Sequence, residues 1–600
     1  MRHDEGLSRR DFLNGVLLAA GGLAVRGMTP MQILGAAQNS ACDGPIGLDP
    51  RARRGGNLPD AFRIAHWMRD RRLTFSPGSV TLAKGCDPDA GTFDIADDGG
   101  QYDVVICGSG IAGLSTAFFL HERRRPTRIL ILDANSGFGG NASRDDQPPL
   151  PVIASTAASY CVAPYADFQR EVYGKIGLRW EKYKVEKPFY SYYFDDRTPG
   201  VRAGHRGWNV DTYGAGLKDV PYSPEIVAQL VKCKDEFHRL SQLDGSPTDP
   251  PDDSDPKYDG LSRISFDEYL RTELRCDPIV SDFYTRYTVD ALGGTAAQVN
   301  AHSSICFLGG EYAARFAFPG GNSGVARLLL KHLINGAIPG DAITTPVRTA
   351  SLDRTDNVVR LRQDAVAVRA DEDGVVYYKG GRFYRARAKA VVLATGSHSA
   401  RHLIEHLADR RRMDAWRRFN TVPAAVANVA VRSAAPFVDL GLGYNQYWWG
   451  SKFWADFVTA DWASARRTKR DRPTVLTFFD GNQAGPSELA AERFKLLSTP
   501  FGDYEQALRE DLSRMMRGTS FDFDRDVTAI YLYRWGHAMI MPTPGHIFGT
   551  GTSRDEAPRR IATAPMGRIS FAGQDTEGTP SLECALASGR RAAQEVLKHL

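Results

Sequence analysis

No apolar run of 18 or more residues occurs in the body of this chain, so a helical membrane span is not expected there. Charge of one sign is not in excess either. The chain has 75 Lys and Arg against 71 Asp and Glu, a net +4, which withholds the basic field that nucleic-acid binding requires. The eight cysteines, Cys42, Cys86, Cys107, Cys161, Cys233, Cys276, Cys306 and Cys584, are scattered. None forms a CxxC or CxxCH pair, which argues against a zinc ribbon and against covalently attached haem, while disulfides stay open. No internal repeat is evident, and no acid-base triad is legible. What remains is ordinary globular composition, 42% hydrophobic and 24% charged over 600 residues. That length exceeds what one core serves and implies two or more interlocked domains.

The first forty residues differ. "SRRDFLNGVLLAAGGLAV" pairs Arg9 and Arg10 before Phe12, Leu13 and a short apolar stretch, with small residues at Gly35–Ala37 and Ala41. Residues 1–41 are expected to be a twin-arginine export signal read by the translocation machinery, with the protein periplasmic or otherwise exported. The alternative is an amphipathic N-terminal helix with two chance arginines. Export of a folded protein to a compartment without recycled NAD favours a tightly held flavin.

Residues 104–140, "VVICGSGIAGLSTAFFLHERRRPTRILILDANSGFGG", carry the strongest local signal. An apolar strand is followed by GxGxxG at Gly108, Gly110 and Gly113. The first glycine makes the tight turn, the second admits a pyrophosphate, and the third lets helix and strand pack closely. The helix from Ile111 offers its N-terminal amides to phosphate, so Ser109 and Ala112 join the cofactor set. Asp133, ending the second strand, sits where a carboxylate meets ribose hydroxyls.

Asp133 does not separate NAD from FAD. A second glycine turn, Gly139–Gly140 with Asn141 and Ala142, points to the flavin's diphosphate and ribityl chain. "AKAVVLATGSHS" ends a buried strand in Ala394–Thr395–Gly396, and Val347, in the segment before it, is placed with the cofactor residues. "GRISFAGQDTEGTPSLECALASGRRAAQEVL" closes the chain as strand, turn and helix. There Gly573 and Asp575 face the ribityl group, and the helix near Thr579 points its positive end at the pyrimidine. The expected fold is α/β, with a Rossmann-like FAD-binding domain assembled from three segments and an inserted α+β substrate domain. The expected divisions are an N-terminal extension over 42–100, FAD-binding parts at 101–150, 319–400 and 561–600, and substrate-domain parts at 151–318 and 401–560. The Pro/Asp-rich insertion "DGSPTDPPDDSDPKYDG" reads as an exposed loop.

Several further stretches, "PDAFRIAHWMRD", "FPGGNSGVARLLLKHLI", "VANVAVRSAAPFVDLGL" and "FDFDRDVTAIYLYRWGHAM", resemble spermidine dehydrogenase-like flavoproteins of the monoamine-oxidase superfamily. The sequence departs from that pattern at three points. Gly536 replaces a proline, Val422 stands where a lysine usually precedes Pro423, and "FAGQDTEGTPSLE" is similar to general amine oxidases. The resemblance implies FAD-dependent, two-electron oxidation of a carbon next to nitrogen in a small amine such as spermidine, with electrons passed to an unidentified acceptor. Trp535 and His537 are its candidate catalytic residues, Trp535 as a wall or cation platform and His537 to orient or deprotonate the amine. The alternative for both is a structural role. Asp290, Glu311, Trp449 and Glu577 are candidate substrate contacts. The aromatic run with Trp448, Trp449, Trp454 and Trp462 is either a substrate wall or core. Haem b is a further implied cofactor, with His66 as the axial ligand to test. Two other readings stay open: an FAD enzyme acting on an apolar, steroid- or isoprenoid-like substrate, and an FAD-bound protein without turnover.

Overall fold

Val104 to Cys107 are four consecutive residues almost without accessible surface, and only a strand covered on both faces buries such a run. Their side chains alternate, Val104 and Ile106 into one core and Val105 and Cys107 into another. A computed structural model describes residues 52–600 except 57–58, 84–89, 146–149, 158–160, 163, 165, 185–189, 242–247, 252–256, 312–314, 317, 319, 460–468, 482 and 552. The expected export signal therefore lies outside the described residues.

The strands that position the site are, in chain order, β1 (Gly91–Cys107), β2 (Ile129–Leu132), β3 (Tyr190–Phe194), β4 (Val359–Arg362) and β5 (Arg382–Leu393). They continue as β6 (Thr421–Val431), β7 (Asn445–Trp448), β8 (Trp454–Thr459), β9 (Thr474–Asp480), β10 (Val527–Ile540) and β11 (Ile569–Phe571). The helices needed are α1 (Pro59–Arg69), α2 (Ile111–Arg123), α3 (Pro278–Ala291), α4 (Ser323–Leu333), α5 (Ser397–Leu403), α6 (Leu489–Ser498) and α7 (Leu582–Val596).

Parallel strands β4, β2, β1, β5 and β11 run side by side at the centre of the first sheet. Residues from three distant parts of the chain thus share one sheet, as the Rossmann-like expectation requires. Helices α2, α4 and α7 cover one face through Leu114, Phe118, Leu329, Leu330, Leu586 and Val596. Helix α1 covers the other with Ile64 and Trp67. The first strand is longer than its apolar run suggests, because its polar front end, from Gly91, is held by an antiparallel hairpin and by Phe383–Arg385 of β5.

The second sheet runs β10–β6–β9–β8–β7–β3. One face packs Ala425, Ala427, Trp448, Trp454, Phe457 and Phe478 against helices from residues 489–516. The other turns Val426, Phe479, Tyr533 and Trp535 toward residues 150–154. At its described residues, 248–251 and 257–260, the Pro/Asp-rich insertion departs from the expected exposed loop. Asp249 is buried and accepts a hydrogen bond from Thr579 Oγ1 at 2.5 Å. Asp259 is buried and paired with Arg554 at 2.5 Å. Partners on distant segments pull these acids inward, which composition alone does not reveal.

Candidate flavin and amine site

Gly108 begins the phosphate turn with φ +105°, and a Cβ there would lie 2.5 Å from the Ala394 carbonyl oxygen. A Cβ on Gly113 would lie 1.9 Å from the Gly108 carbonyl oxygen, so the strand and α2 approach as closely as they do only without side chains. No side chain caps α2 at Gly110, leaving the Gly110–Gly113 amides to face an anion. The second glycine turn lies directly against the first. Gly110 and Gly139 form a parallel bridge, and a Cβ on Gly140 would come within 3.2 Å of Gly110 Cα.

Asp133 is buried at the end of β2, where it accepts hydrogen bonds from Ser109 N at 2.8 Å, Ser109 Oγ at 2.5 Å and Asn135 N at 2.8 Å. Burial pushes its carboxyl above the ordinary range against the pull of those donors. The strand beside it is β4, whose Arg362 carbonyl accepts from Asp133 N at 2.9 Å. Val347 lies in the irregular segment before β4, half-buried against the core that also holds α2 and α4.

The other two cofactor segments meet the first at their strand ends. Ala394 N donates to Cys107 O at 2.8 Å. Asp575 Oδ2 accepts from Ser397 N at 2.6 Å, and Gly573 N donates to Ser588 Oγ at 3.0 Å. Asp575 Oδ1 and Thr395 Oγ1 are buried with no hydrogen-bond partner among the described residues. Buried polar atoms are rarely left so, and two of them beside Gly396, at the ends of β5 and β11, fit the hydroxyl-rich ribityl chain. Asn141 Nδ2 and Gln574 Nε2 both donate to the Ala538 carbonyl, the latter at 3.3 Å. The glycine turn, the closing segment and β10 therefore converge on one backbone oxygen. Thr579, expected at the pyrimidine, donates to Asp249, while Ser581 caps α7 by accepting from Cys584 N at 2.9 Å. These residues fit FAD.

Trp535 and His537 lie two residues apart on β10, where its pairing with β6 shifts register between Ala424–Trp535 and Val422–Met539. Trp535 Nε1 donates to the Thr156 carbonyl at 3.0 Å, and its ring packs near Phe479 and Val426. The His537 ring stacks on His398 with centroids 4.0 Å apart at 4°, and its Nδ1 lies 2.8 Å from Thr421 Oγ1. Desolvation first, then His398, Arg493 and Arg401, hold His537 well below the usual imidazole range. His398 falls to about 3, through burial and then Arg401. Arg493 donates to the Gly536 carbonyl at 3.0 Å and the Thr421 carbonyl at 2.6 Å. Both imidazoles are thus neutral in a positive field. His398, Thr421 and Arg493 were not legible in the sequence, since each is an isolated polar residue on a different element.

The candidate substrate contacts divide. Asp290 accepts from Tyr447 OH at 3.3 Å. Glu577 is buried between Arg591 at 3.0 Å and Arg559 at 3.5 Å, so its charge is already matched within the chain and it is a structural ion-pair residue. Trp449 is core: 3% exposed, stacked on Phe194 and donating to Asp282 at 3.0 Å. Trp448 and Trp454 are core as well, while Trp462 lies outside the described residues. Glu311 ends a helix, and its side chain lies outside the described residues. His66 Nδ1 is bound to the Phe62 carbonyl at 2.7 Å. Desolvation, then Arg69, lowers its pKa to about 4, and Asp70 and His402 are the other side chains acting on it. That polar, cationic setting does not fit a haem ligand, whose macrocycle needs apolar walls.

This arrangement is that of a flavoenzyme with a two-sheet architecture. The chain belongs to the family of flavin-containing amine oxidoreductases, whose profile matches residues 111–597. No curated protein matches the sequence significantly. Solved structures with the same fold include a putrescine oxidase double mutant, at 16% identity and a TM-score of 0.55, covering 83% of this chain and 99% of that one. Cyclohexylamine oxidase from Brevibacterium oxydans matches at 17% identity and a TM-score of 0.54 over the same shares. A proposed protoporphyrinogen oxidase from Exiguobacterium matches at 15% identity and 0.55, covering 84% of this chain and all of that one.

Proposed function

We propose that the protein is an exported, FAD-dependent amine dehydrogenase that oxidises a carbon next to nitrogen in a polyamine such as spermidine. The observation that carries the reading is the convergence of Asn141 and Gln574 on the Ala538 carbonyl, beside unpartnered Thr395 Oγ1 and Asp575 Oδ1. The family supports amine chemistry, and one solved relative in this fold is a putrescine oxidase bound to putrescine.

In this reading Ser109–Gly113, Asp133, Gly139–Ala142, Thr395, Gly396, Asp575 and Thr579 hold the cofactor. Bound FAD supplies the two-electron acceptor for the carbon–hydrogen bond. Trp535, fixed by Thr156, walls the reacting carbon and fixes its approach. His537 stays neutral and offers an imidazole nitrogen to hold the amine. The substrate leaves as an imine, which water hydrolyses. The aromatic run around Trp449 is packed core and lends no support to an apolar substrate.

The test is anaerobic mixing of purified, yellow protein with spermidine, 1,4-diaminobutane and n-butylamine. The oxidised flavin bands are expected to bleach with at least one amine. Bands that survive every amine but vanish with dithionite would sink the reading. The same spectrum tests haem, for which no Soret band is expected. Export is tested by fractionating cells with and without a working twin-arginine system, the protein being expected outside the cytoplasm only with it.

A further inference from the structure

Cys233 and Cys276 are 43 positions apart in the chain, yet their sulfurs lie 3.4 Å from each other. Cys233 is a buried residue of the helix Pro224–Ser241, and Cys276 stands two residues before α3 begins. The two stretches are pinned together beside the sulfurs. Gln229 Oε1 accepts from Asp277 N at 2.6 Å, and Lys232 Nζ donates to the Leu274 carbonyl at 2.8 Å. Phe237, Leu270, Val280 and Tyr284 share one core with both cysteines. The sulfurs are therefore held face to face by contacts that need no covalent bond.

Both residues are free thiols, and among the described residues no group of three or more His, Cys, Asp or Glu could hold a metal ion there. From 3.4 Å the sulfurs reach the disulfide bond length of about 2.05 Å by closing roughly 1.4 Å. They differ in access. Cys233 has 0% of its surface exposed and Cys276 has 7%, so an oxidant arriving from solvent meets Cys276 first. Contact with the Cys233 thiol draws the Cys276 thiol below its ordinary range against burial, and Lys232 adds to the pull. A thiolate at the accessible sulfur with a buried thiol behind it is the arrangement of an attacking and a resolving cysteine.

We propose that Cys233 and Cys276 are a redox-reactive dithiol that closes to an intramolecular disulfide on meeting a disulfide-bearing oxidant. The Cys276 thiolate, its proton lost to water, attacks one sulfur of the oxidant. The oxidant's S–S bond breaks, one of its thiolates leaves, and a mixed disulfide forms at Cys276. The Cys233 thiol then loses its proton and attacks the Cys276 sulfur, expelling the second oxidant thiolate. The cysteines give up two electrons, the oxidant's S–S bond takes them, and the two protons end on the released thiols. The new bond closes the loop that carries Asp249 and Asp259, whose partners are Thr579 and Arg554. It thereby constrains an insertion already tied to distant segments. The inference goes beyond the amine reading and does not depend on it.

The test exposes reduced wild-type protein, freed of reductant, to oxidised glutathione. The protein is then unfolded in excess N-ethylmaleimide and digested for mass spectrometry. The peptides of Cys233 and Cys276 are expected to be joined to each other, with alkylation lost at both. Alkylation retained at both, or a link from either one to another cysteine, overturns the proposal. The linked protein is also expected to melt about 2–4 °C above the reduced protein, and an equal melting temperature overturns the constraint on the insertion. Cys233→Ser is expected to accumulate glutathione on Cys276, and Cys276→Ser to take none on Cys233. Glutathione on Cys233 alone overturns the order of attack. If either variant does not fold, the wild-type digest decides the linkage.

Discussion

Asp133 and Asp480 show how burial decides what a carboxylate does. Asp133 is held by Ser109 and Asn135 at the place where a ribose would bind. Asp133→Ala is expected to weaken FAD binding roughly tenfold to hundredfold, the worth of hydrogen bonds to a charged group, measured by fluorescence titration of the apoprotein. Asp480 is pushed up to about 8, chiefly by desolvation, against the pull of the Ala425 amide. Its folded pKa lies above its unfolded one, so the buried group opposes folding increasingly as pH rises from about 4 to about 8. Asp480→Asn should therefore raise the melting temperature by about 1–3 °C at pH 8 and leave it unchanged near pH 4. A gain of equal size at both pH values would contradict this account. His537→Gln is expected to slow flavin reduction about a hundredfold and to alter its pH profile. A changed melting temperature with an unchanged profile would assign His537 to packing alone.

Helices α2 and α7 cross so closely that a Cβ on Gly589 would lie 1.9 Å from Ser115 Oγ and 2.6 Å from the Ala112 carbonyl oxygen. The contact fixes the N-terminus of α2, proposed to face the cofactor phosphates, against the helix that follows Asp575 and Thr579. Gly589→Ala is expected to cost about 1–3 kcal/mol by overpacking and to lower the fraction of protein that retains FAD. Thermal melts paired with the flavin-to-protein absorbance ratio check both. These elements were legible because their signals are local. GxGxxG, the buried apolar strands and the Gly139–Gly140 turn each concern neighbouring residues. The edge strand β4 was not, since nothing near Val347 or Val359 says which run pairs with Ile129–Leu132.

The assembled molecule also fixes its own acid limit. Glu122, at the end of α2, is raised by desolvation but drawn down further by Lys175, His332 and Arg125 from three parts of the chain, reaching about 2. A depressed folded pKa stabilises above the unfolded value of about 4.5 and loses that stabilisation as pH falls toward 2. Glu122→Gln is therefore expected to lower stability by roughly 2 kcal/mol at pH 7, with the difference disappearing near pH 2 in denaturant titrations. The order of residues along the chain determined the family and the proposed flavin cradle, because phosphate and ribose binding depend on turns, strand ends and helix starts that are written contiguously. Folding alone decided which acids meet. Glu577 was drawn into an arginine pair and Trp449 into the core, while Asp290 of α3 and Asp456 of β8, 166 positions apart in the chain, came within electrostatic reach of each other. Long-range strand register brings such groups within a few ångströms, and register is a property of the packed sheets, carried by no single stretch of the chain.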